Sequence, residues 1–177
     1  MKKKKIFICD STSAHITIQN NILREEYKEY LNKKIKINKW NVESKLAEYE
    51  NANIILVPST FVKKTFEKFN FTKIKTLELG SSVSNFYPLK EVKKSDAFFD
   101  ILFIGQISLQ KGLHYLIEGF KKFSHPHKRL HIIGSQTKDK EFFRNKLKHK
   151  DIIVYGQMKQ FTINDIANKC HVCVLPS

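Results

Sequence analysis

The sequence predicts an α/β protein built on two parallel sheets, and three observations carry that prediction. Short runs of branched and aromatic residues alternate with stretches whose apolar positions recur at helical spacing. Most of those runs stop at a glycine or proline: Pro58 after Ile54-Ile55-Leu56-Val57, Gly80 after Leu79, and Gly105, Gly134 and Gly156 later on. The alternation happens twice, on either side of a polar stretch from Gly80 to Ala97 that holds Pro88 and the charged run Lys90–Asp96. Parallel neighbours need a crossover between them, usually a helix, so this order points to parallel sheets. The expected organisation is a first domain over 1–85, a linker over 86–97 and a second domain over 98–177.

In the first half, residues 4–9 read as a strand ending at Asp10. Ser11, Thr12 and Ser13 make a polar turn, and any of them can cap the helix expected from about Ala14 to Tyr30. Ile16, Leu23, Tyr27 and Tyr30 run along one side of it. His15 falls in its first turn, just beyond the carboxyl end of a strand, where open α/β sheets hold ligands. A histidine there can be a neutral base, or equally a surface residue with no role. Lys33 to Lys39 is a basic connector to a helix from about Asn41 to Glu50, with Val42, Leu46 and Tyr49 inward. Asn53–Val57 is the next strand. Ser59 caps a helix from Thr60 to about Phe69 with apolar points Phe61, Val62, Phe66 and Phe69, and Lys73–Leu79 makes one more strand.

The second half opens on the stretch that organises the chain, Asp100 to Phe123. Ile101–Ile104 is short and branched enough to be a buried strand. Gly105 ends it, a short polar loop leads to Lys111-Gly112, and Leu113, Leu116, Ile117, Phe120 and Phe123 then fit one helical face. Strand, glycine, loop with a lysine, and helix together make a site for an anion. The helix start supplies unpaired N–H groups and a positive dipole end, Lys111 a full charge, and Gly105 room for close approach. The spacing matches neither GxGxxG nor GxxxxGK[ST]. Strands are further expected at 130–133, 152–155 and 172–175, with helices at 139–148 and 162–169. A complete doubly wound domain has ~5–6 strands, so both sheets are expected to be incomplete and the chain to be a fragment.

The 32 Lys and Arg against 17 Asp and Glu give a net charge of +15. That favours anionic partners: nucleic acid, an anionic membrane surface or phosphorylated small molecules. The lysines are spread through the chain among Ile and Asn, so charge alone does not choose. A nucleic-acid module would set basic residues and aromatics on one face. Phe61, Phe66, Phe69, Phe120 and Phe123 fall instead on faces expected to be core, and no nucleic-acid partner is expected. No apolar run approaches the ~18–20 residues of a membrane span, and the run after Lys5 is shorter than the ~7–15 of a secretory signal. Three cysteines, an odd number, agree with a reducing compartment. A cytoplasmic protein, able to touch an anionic membrane at its periphery, is expected.

Three segments carry a family resemblance. Ala52–Lys63, ANIILVPSTFVK, resembles a segment A-D-x-I-x-V-P-S-x-F-V. Lys73 to Pro88, with Leu79-Gly80 and Asn85-Phe86-Tyr87-Pro88, is similar to K-V-x-V-x-P-x-G-V-D-x-x-x-F-x-P, and Phe103-Ile104-Gly105-Gln106 through Lys111-Gly112 to Phe120 is similar to F-V-G-R-x-x-x-x-K-G-x-x-x-L-x-x-A-F. Leu130–Gly134, Val154–Met158 and Val174–Ser177 keep the same order and spacing. Together they resemble the GT-B glycosyltransferases, in particular the large family 4 of retaining, nucleotide-sugar-dependent enzymes.

The resemblance implies two Rossmann-like domains, a nucleotide-diphosphate sugar as donor, no metal or other cofactor, and a glycan or lipid-linked acceptor in cell-envelope polysaccharide synthesis. It implies donor binding by Gly105, Gln106, Lys111, Gly112, Gly134, Gln157 and Met158. Lys111 would grip the diphosphate, and Gly156-Gln157-Met158 would hold the base. Gln106 stands where the family has an arginine, so it offers a hydrogen bond without charge. His15 falls where the family has a first-domain histidine near sugar and acceptor, and is the expected catalytic residue. The family's E-x7-E carboxylates would follow Pro176-Ser177 and the first acceptor-domain strands would precede Met1, so the fragment alone is expected to be inactive. The alternatives are a basic nucleic-acid-binding α/β module and a non-catalytic remnant of a split glycosyltransferase gene.

Two further signals are weaker. Cys170-His171-Val172-Cys173 lacks the second ligand pair of a zinc site, and the period of Cys170, Val172 and Val174 suggests a packed strand edge. Asp10, Ser11, Ser13 and His15 are too close in sequence for triad geometry.

Overall fold

The computed structural model describes residues 5–81, 83–136 and 139–176. It is an α/β structure with two separate parallel sheets, as the sequence predicts. The chain forms two compact units, Met1–Ser81 and Ser82–Ser177. Lys4, the expected start of the first strand, and Ser177 lie outside the described residues.

Unit 1 runs β1 (Ile8–Asp10), α1 (Ile16–Leu31), α2 (Lys39–Asn51), β2 (Ile54–Val57), α3 (Thr60–Glu67) and β3 (Ile74–Thr76). Its strands lie in the order β1-β2-β3. In register, Cys9 faces Ile55 and Ile55 faces Ile74, which stacks one buried residue from each strand. Tyr49 from α2 and Val62 and Phe66 from α3 complete that core, with Leu46 and Phe71 packed against it. Caps fix the helix ends. Asn32 adopts the left-handed conformation after α1, the Asn38 side chain accepts from Asn41 N–H, and that of Ser59 accepts from Val62 N–H.

Two expectations need correction here. β3 ends at Thr76 rather than Leu79, and Leu77 and Leu79 are exposed. Its partner β2 stops at Pro58, which has no N–H to extend the ladder. Phe61 is 65% exposed, whereas Val62 and Phe66 are buried. At about 100° per residue the inward face of α3 is centred between Val62, Thr65 and Phe66, and Phe61 falls roughly 90° to its side. With Phe69 and Phe123 also exposed, only Phe66 and Phe120 of the five phenylalanines expected in the core are there.

Unit 2 runs β4 (Phe99–Ile104), a 3-10 turn (Leu109–Lys111), α4 (Leu113–Lys122), β5 (Lys128–Ile133), α5 (Lys140–Arg144), β6 (Ile152–Gly156), α6 (Gln160–Lys169) and β7 (Val172–Cys173). All pairs in the β6-β5-β4-β7 sheet are parallel. Residues alternate across the sheet. Ile101 and Phe103 on β4 and Leu130 and Ile132 on β5 are buried, as is the stripe Leu113, Leu116, Ile117 and Phe120 on α4. Leu102 and Ile133 share the other face with Ile163 and Cys170, and Ile166 and Met158 pack against them. Burial there pushes the Cys170 thiol up to about 11, with the Asp100 charge adding to it. Val172, expected in a packed edge, is 39% exposed, because β7 sits at the edge of the sheet.

Strands β4 and β5 begin earlier than their apolar runs. Asp100 and Arg129 are register partners and form a two-point ion pair, Nε to Oδ1 at 2.6 Å and a second guanidinium N–H to Oδ2 at 2.8 Å. His131 Nε2 lies 2.8 Å from Asp100 Oδ1, and its Nδ1 lies 2.8 Å from the Tyr155 hydroxyl. His171 joins at the backbone: its Nδ1 accepts from Asp100 N–H and its own N–H donates to Asp100 C=O. The segment read as a linker is tied down as well. Tyr87 N–H and Leu89 N–H donate to the side-chain oxygens of Asn164 and Asn168 on α6.

Candidate functional site

The carboxyl edge of the unit 2 sheet is finished in glycine. Gly105 follows β4, Gly134 follows β5 and Gly156 closes β6. Gly105 N–H donates to Ile133 C=O and Gly134 N–H donates to Gly156 C=O, so the three ends form one shelf. A Cβ on Gly134, whose φ is +154°, would sit 1.8 Å from the Gly105 carbonyl oxygen. Only glycine permits that approach. Ligands of open α/β sheets lie beyond the carboxyl ends of the strands, and a shelf without side chains lets them reach the backbone.

Lys111 is half-buried, and the stem of its side chain passes 4.0 Å from the place of a Cβ on Gly105. That is ordinary van der Waals contact, so the stem stands beside Gly105 at the end of the shelf. Gln106 and Gln157 are exposed on the loops after β4 and β6. Six of the seven expected donor residues, Gly105, Gln106, Lys111, Gly112, Gly134 and Gln157, thus lie on this edge or in the loop that follows it. Met158 does not share the exposure of Gln157, since it packs against the Leu102, Ile133, Ile163 and Cys170 cluster.

The helix start departs from expectation. The loop enters a 3-10 turn before α4, and Leu109 N–H donates to the Asp139 carboxylate at 3.0 Å. Gly112 has φ +65°, and its inner face lies against Pro176. Gly112, Leu113 and His114 are buried. The first amide of the turn is thus met by a protein carboxylate, and the α4 start is packed against protein. Asp139 was not legible as a partner, because nothing in the spacing links a residue beyond β5 to the loop after β4. Beside it, the Ser108 hydroxyl is buried and has no hydrogen-bond partner among the described residues.

His15 sits in unit 1 as the N-cap of α1. Its Nδ1 accepts from Thr17 N–H at 3.3 Å, and its own N–H donates to Thr65 Oγ1 at 3.0 Å. The ring stacks on Phe69 at 3.9 Å between centroids and is flanked by Tyr49, Phe66 and Phe71. It is 1% exposed, so it offers no face to a sugar in this structure, against the expected role. The sequence put it in the first turn; as cap its ring turns back under the helix instead. Burial lowers its pKa. The unfolded chain then takes up the proton first, so stability is full above about pH 6.5 and is lost as pH falls below it. The protection of α1 and α3 amides, relative to intrinsic exchange at the same pH, should fall on that acid side, and His15→Gln should flatten the dependence. An unchanged slope in the variant would assign the effect elsewhere.

Residues 89–177, about half the chain, match the model of the family described as Glycosyl transferases group 1. The chain belongs to this family. No curated protein sequence matches it. Among solved structures, this group 1 chain is similar to sucrose-phosphate synthase from Thermosynechococcus elongatus, with TM-score 0.70 and 14% identity over 96% of this chain and 44% of that one. WaaG, a glycosyltransferase involved in lipopolysaccharide biosynthesis, gives TM-score 0.66 and 10% identity over 99% and 51%. HepE of Anabaena, solved with UDP and glucose, gives TM-score 0.60 and 13% identity over 80% and 42%. The chain spans about half of these structures or less. At such identities the likeness concerns the fold, that of the GT-B glycosyltransferases.

Proposed function

We propose that the chain is part of a retaining glycosyltransferase that moves a sugar from a nucleotide-diphosphate sugar to a glycan or lipid-linked acceptor in cell-envelope polysaccharide synthesis. One observation carries the donor reading: the Lys111 stem stands beside Gly105, at one end of a shelf of three glycines on the carboxyl edge of the sheet. A diphosphate there meets backbone directly and one ammonium charge, which stabilises the charge that develops on the leaving group. Gln106 adds a hydrogen bond without charge. Gly156 and Gln157 border the place of the base. HepE, solved with UDP, and WaaG, of lipopolysaccharide biosynthesis, support the donor class and the acceptor class by likeness of fold. His15 is a positioning residue in this reading, holding the start of α1.

Calorimetric titration with UDP, GDP and ADP tests it. One of them should bind, equally well with EDTA present, since Lys111 supplies a positive charge. Lys111→Ala removes a charge-assisted contact and should weaken binding about 10- to 100-fold. Binding rather than turnover is expected of these 177 residues alone. No binding by any of the three, or no loss in Lys111→Ala, would overturn the assignment.

A further inference from the structure

We infer, resting on the donor reading, that Asp139 is a positioning residue: its carboxylate, beyond β5, fixes the turn from which Lys111 projects. The chain after β4 stays joined to the chain after β5 past the glycine shelf. Gly105 N–H donates to Ile133 C=O and Ile107 N–H to Ser135 C=O, both at 2.9 Å, and Ile107 pairs with Gln136 in parallel register. Leu109 N–H then donates to Asp139 Oδ2 at 3.0 Å. The amides of 105, 107 and 109 are thus held in turn by residues of β5 or just beyond it, and the last of the three is held by a side chain.

Leu109 also opens the single 3-10 turn that ends at Lys111, and Gly112 N–H closes that turn on Leu109 C=O at 2.9 Å. One residue therefore carries the Asp139 bond at its amide and the end of the turn at its carbonyl. Ile107 and Leu109 are buried, but apolar packing is non-directional. It holds the loop down and leaves its rotation open. A charge-assisted bond from a buried carboxylate sets the direction. Asp139 is 4% exposed, too enclosed to meet a nucleotide, so it acts through Lys111. Where the turn slackens, only the fraction of molecules with Lys111 in place binds tightly, and the apparent affinity falls by that fraction.

Calorimetry with UDP, GDP and ADP on the 177-residue chain and its variants tests this. With the nucleotide that binds, Asp139→Ala should weaken affinity about tenfold, the usual contribution of a hydrogen bond to a charged group. Asp139→Asn keeps an acceptor oxygen and should stay within about threefold. In a Lys111→Ala background Asp139→Ala should cost almost nothing more, because the group it positions is gone. A general loosening of unit 2 would cost the same in either background. Exchange protection of the Leu109 amide should fall in Asp139→Ala while the β4 and β5 amides keep theirs. Full affinity in Asp139→Ala, equal losses in the alanine and asparagine variants, an undiminished loss in the Lys111→Ala background, or lost protection throughout β4 and β5 would overturn the inference and leave the donor reading standing. Binding of none of the three nucleotides by the unaltered chain would remove both.

Discussion

Replacing Gly134 by alanine is expected to cost unit 2 roughly 2–6 kcal/mol and to abolish nucleotide binding with it. The new methyl group would lie 1.8 Å from the Gly105 oxygen and 2.7 Å from its carbonyl carbon, and these are backbone atoms that cannot swing aside. Overpacking costs about 1–3 kcal/mol, and a side chain in this backbone region a further ~1–3. Against a typical domain stability of about 5–15 kcal/mol the sum is severe. Hydrogen exchange of β4 and β5 amides should show it, with lost protection in the variant. Gly156→Ala is the control. That position has φ +74° but nothing within 4 Å, so only the backbone penalty of about 1 kcal/mol applies. If the two variants behaved alike, the close approach of β4 and β5 would be disproved.

The second large effect is expected at Asp100. Its carboxylate is shared by Arg129 and His131, and its side chain is 4% exposed. Removing one partner of a buried pair costs about 3–5 kcal/mol, and Asp100→Ala should fall near the lower end because the Arg129 side chain is 33% exposed. Burial by itself would raise the Asp100 pKa, but hydrogen bonds and charge from Arg129 and His131 outweigh it and hold the carboxyl below its ordinary value. The unfolded chain then binds the proton first. The contribution is full above about pH 4 and is lost as pH falls through the folded value. Asp100→Asn should therefore lower stability at neutral pH and flatten its decline in acid, read from urea midpoints followed by circular dichroism. A variant that kept the same acid slope would show that other carboxylates set it.

Where apolar periodicity dominates, the sequence was legible. The stripe Leu113, Leu116, Ile117 and Phe120 is buried as its spacing predicts, and β6 begins at the predicted residue. Legibility ended where polar residues satisfy one another across the fold. Asp100 and Arg129 each look like the end of an apolar run, yet as register partners they neutralise each other and let both strands start earlier. Lys128 opens β5 because its ammonium meets the Phe120 and Phe123 carbonyls at the end of α4. At the site, glycines at strand ends could be found by their position, but the contact of Gly134 with Gly105 could not. His15 shows the converse limit. Its place beyond β1 was legible, while its enclosure depends on Phe69 and Phe71, outside the helix that positions it.

Unit 2 is stitched from its beginning to its last described residues. Tyr87 and Leu89 are held by Asn164 and Asn168, Asp100 by His171, Leu102 by Val174, and Gly112 lies against Pro176. During synthesis on a ribosome, the opening third of this unit must therefore wait for residues made long after it before it can lock. Such distant pairings slow folding and leave β4 lacking one neighbour in the nascent chain. A translational pause or a release before residue 170 would leave one edge of β4 open, a form prone to aggregate rather than to a smaller working piece.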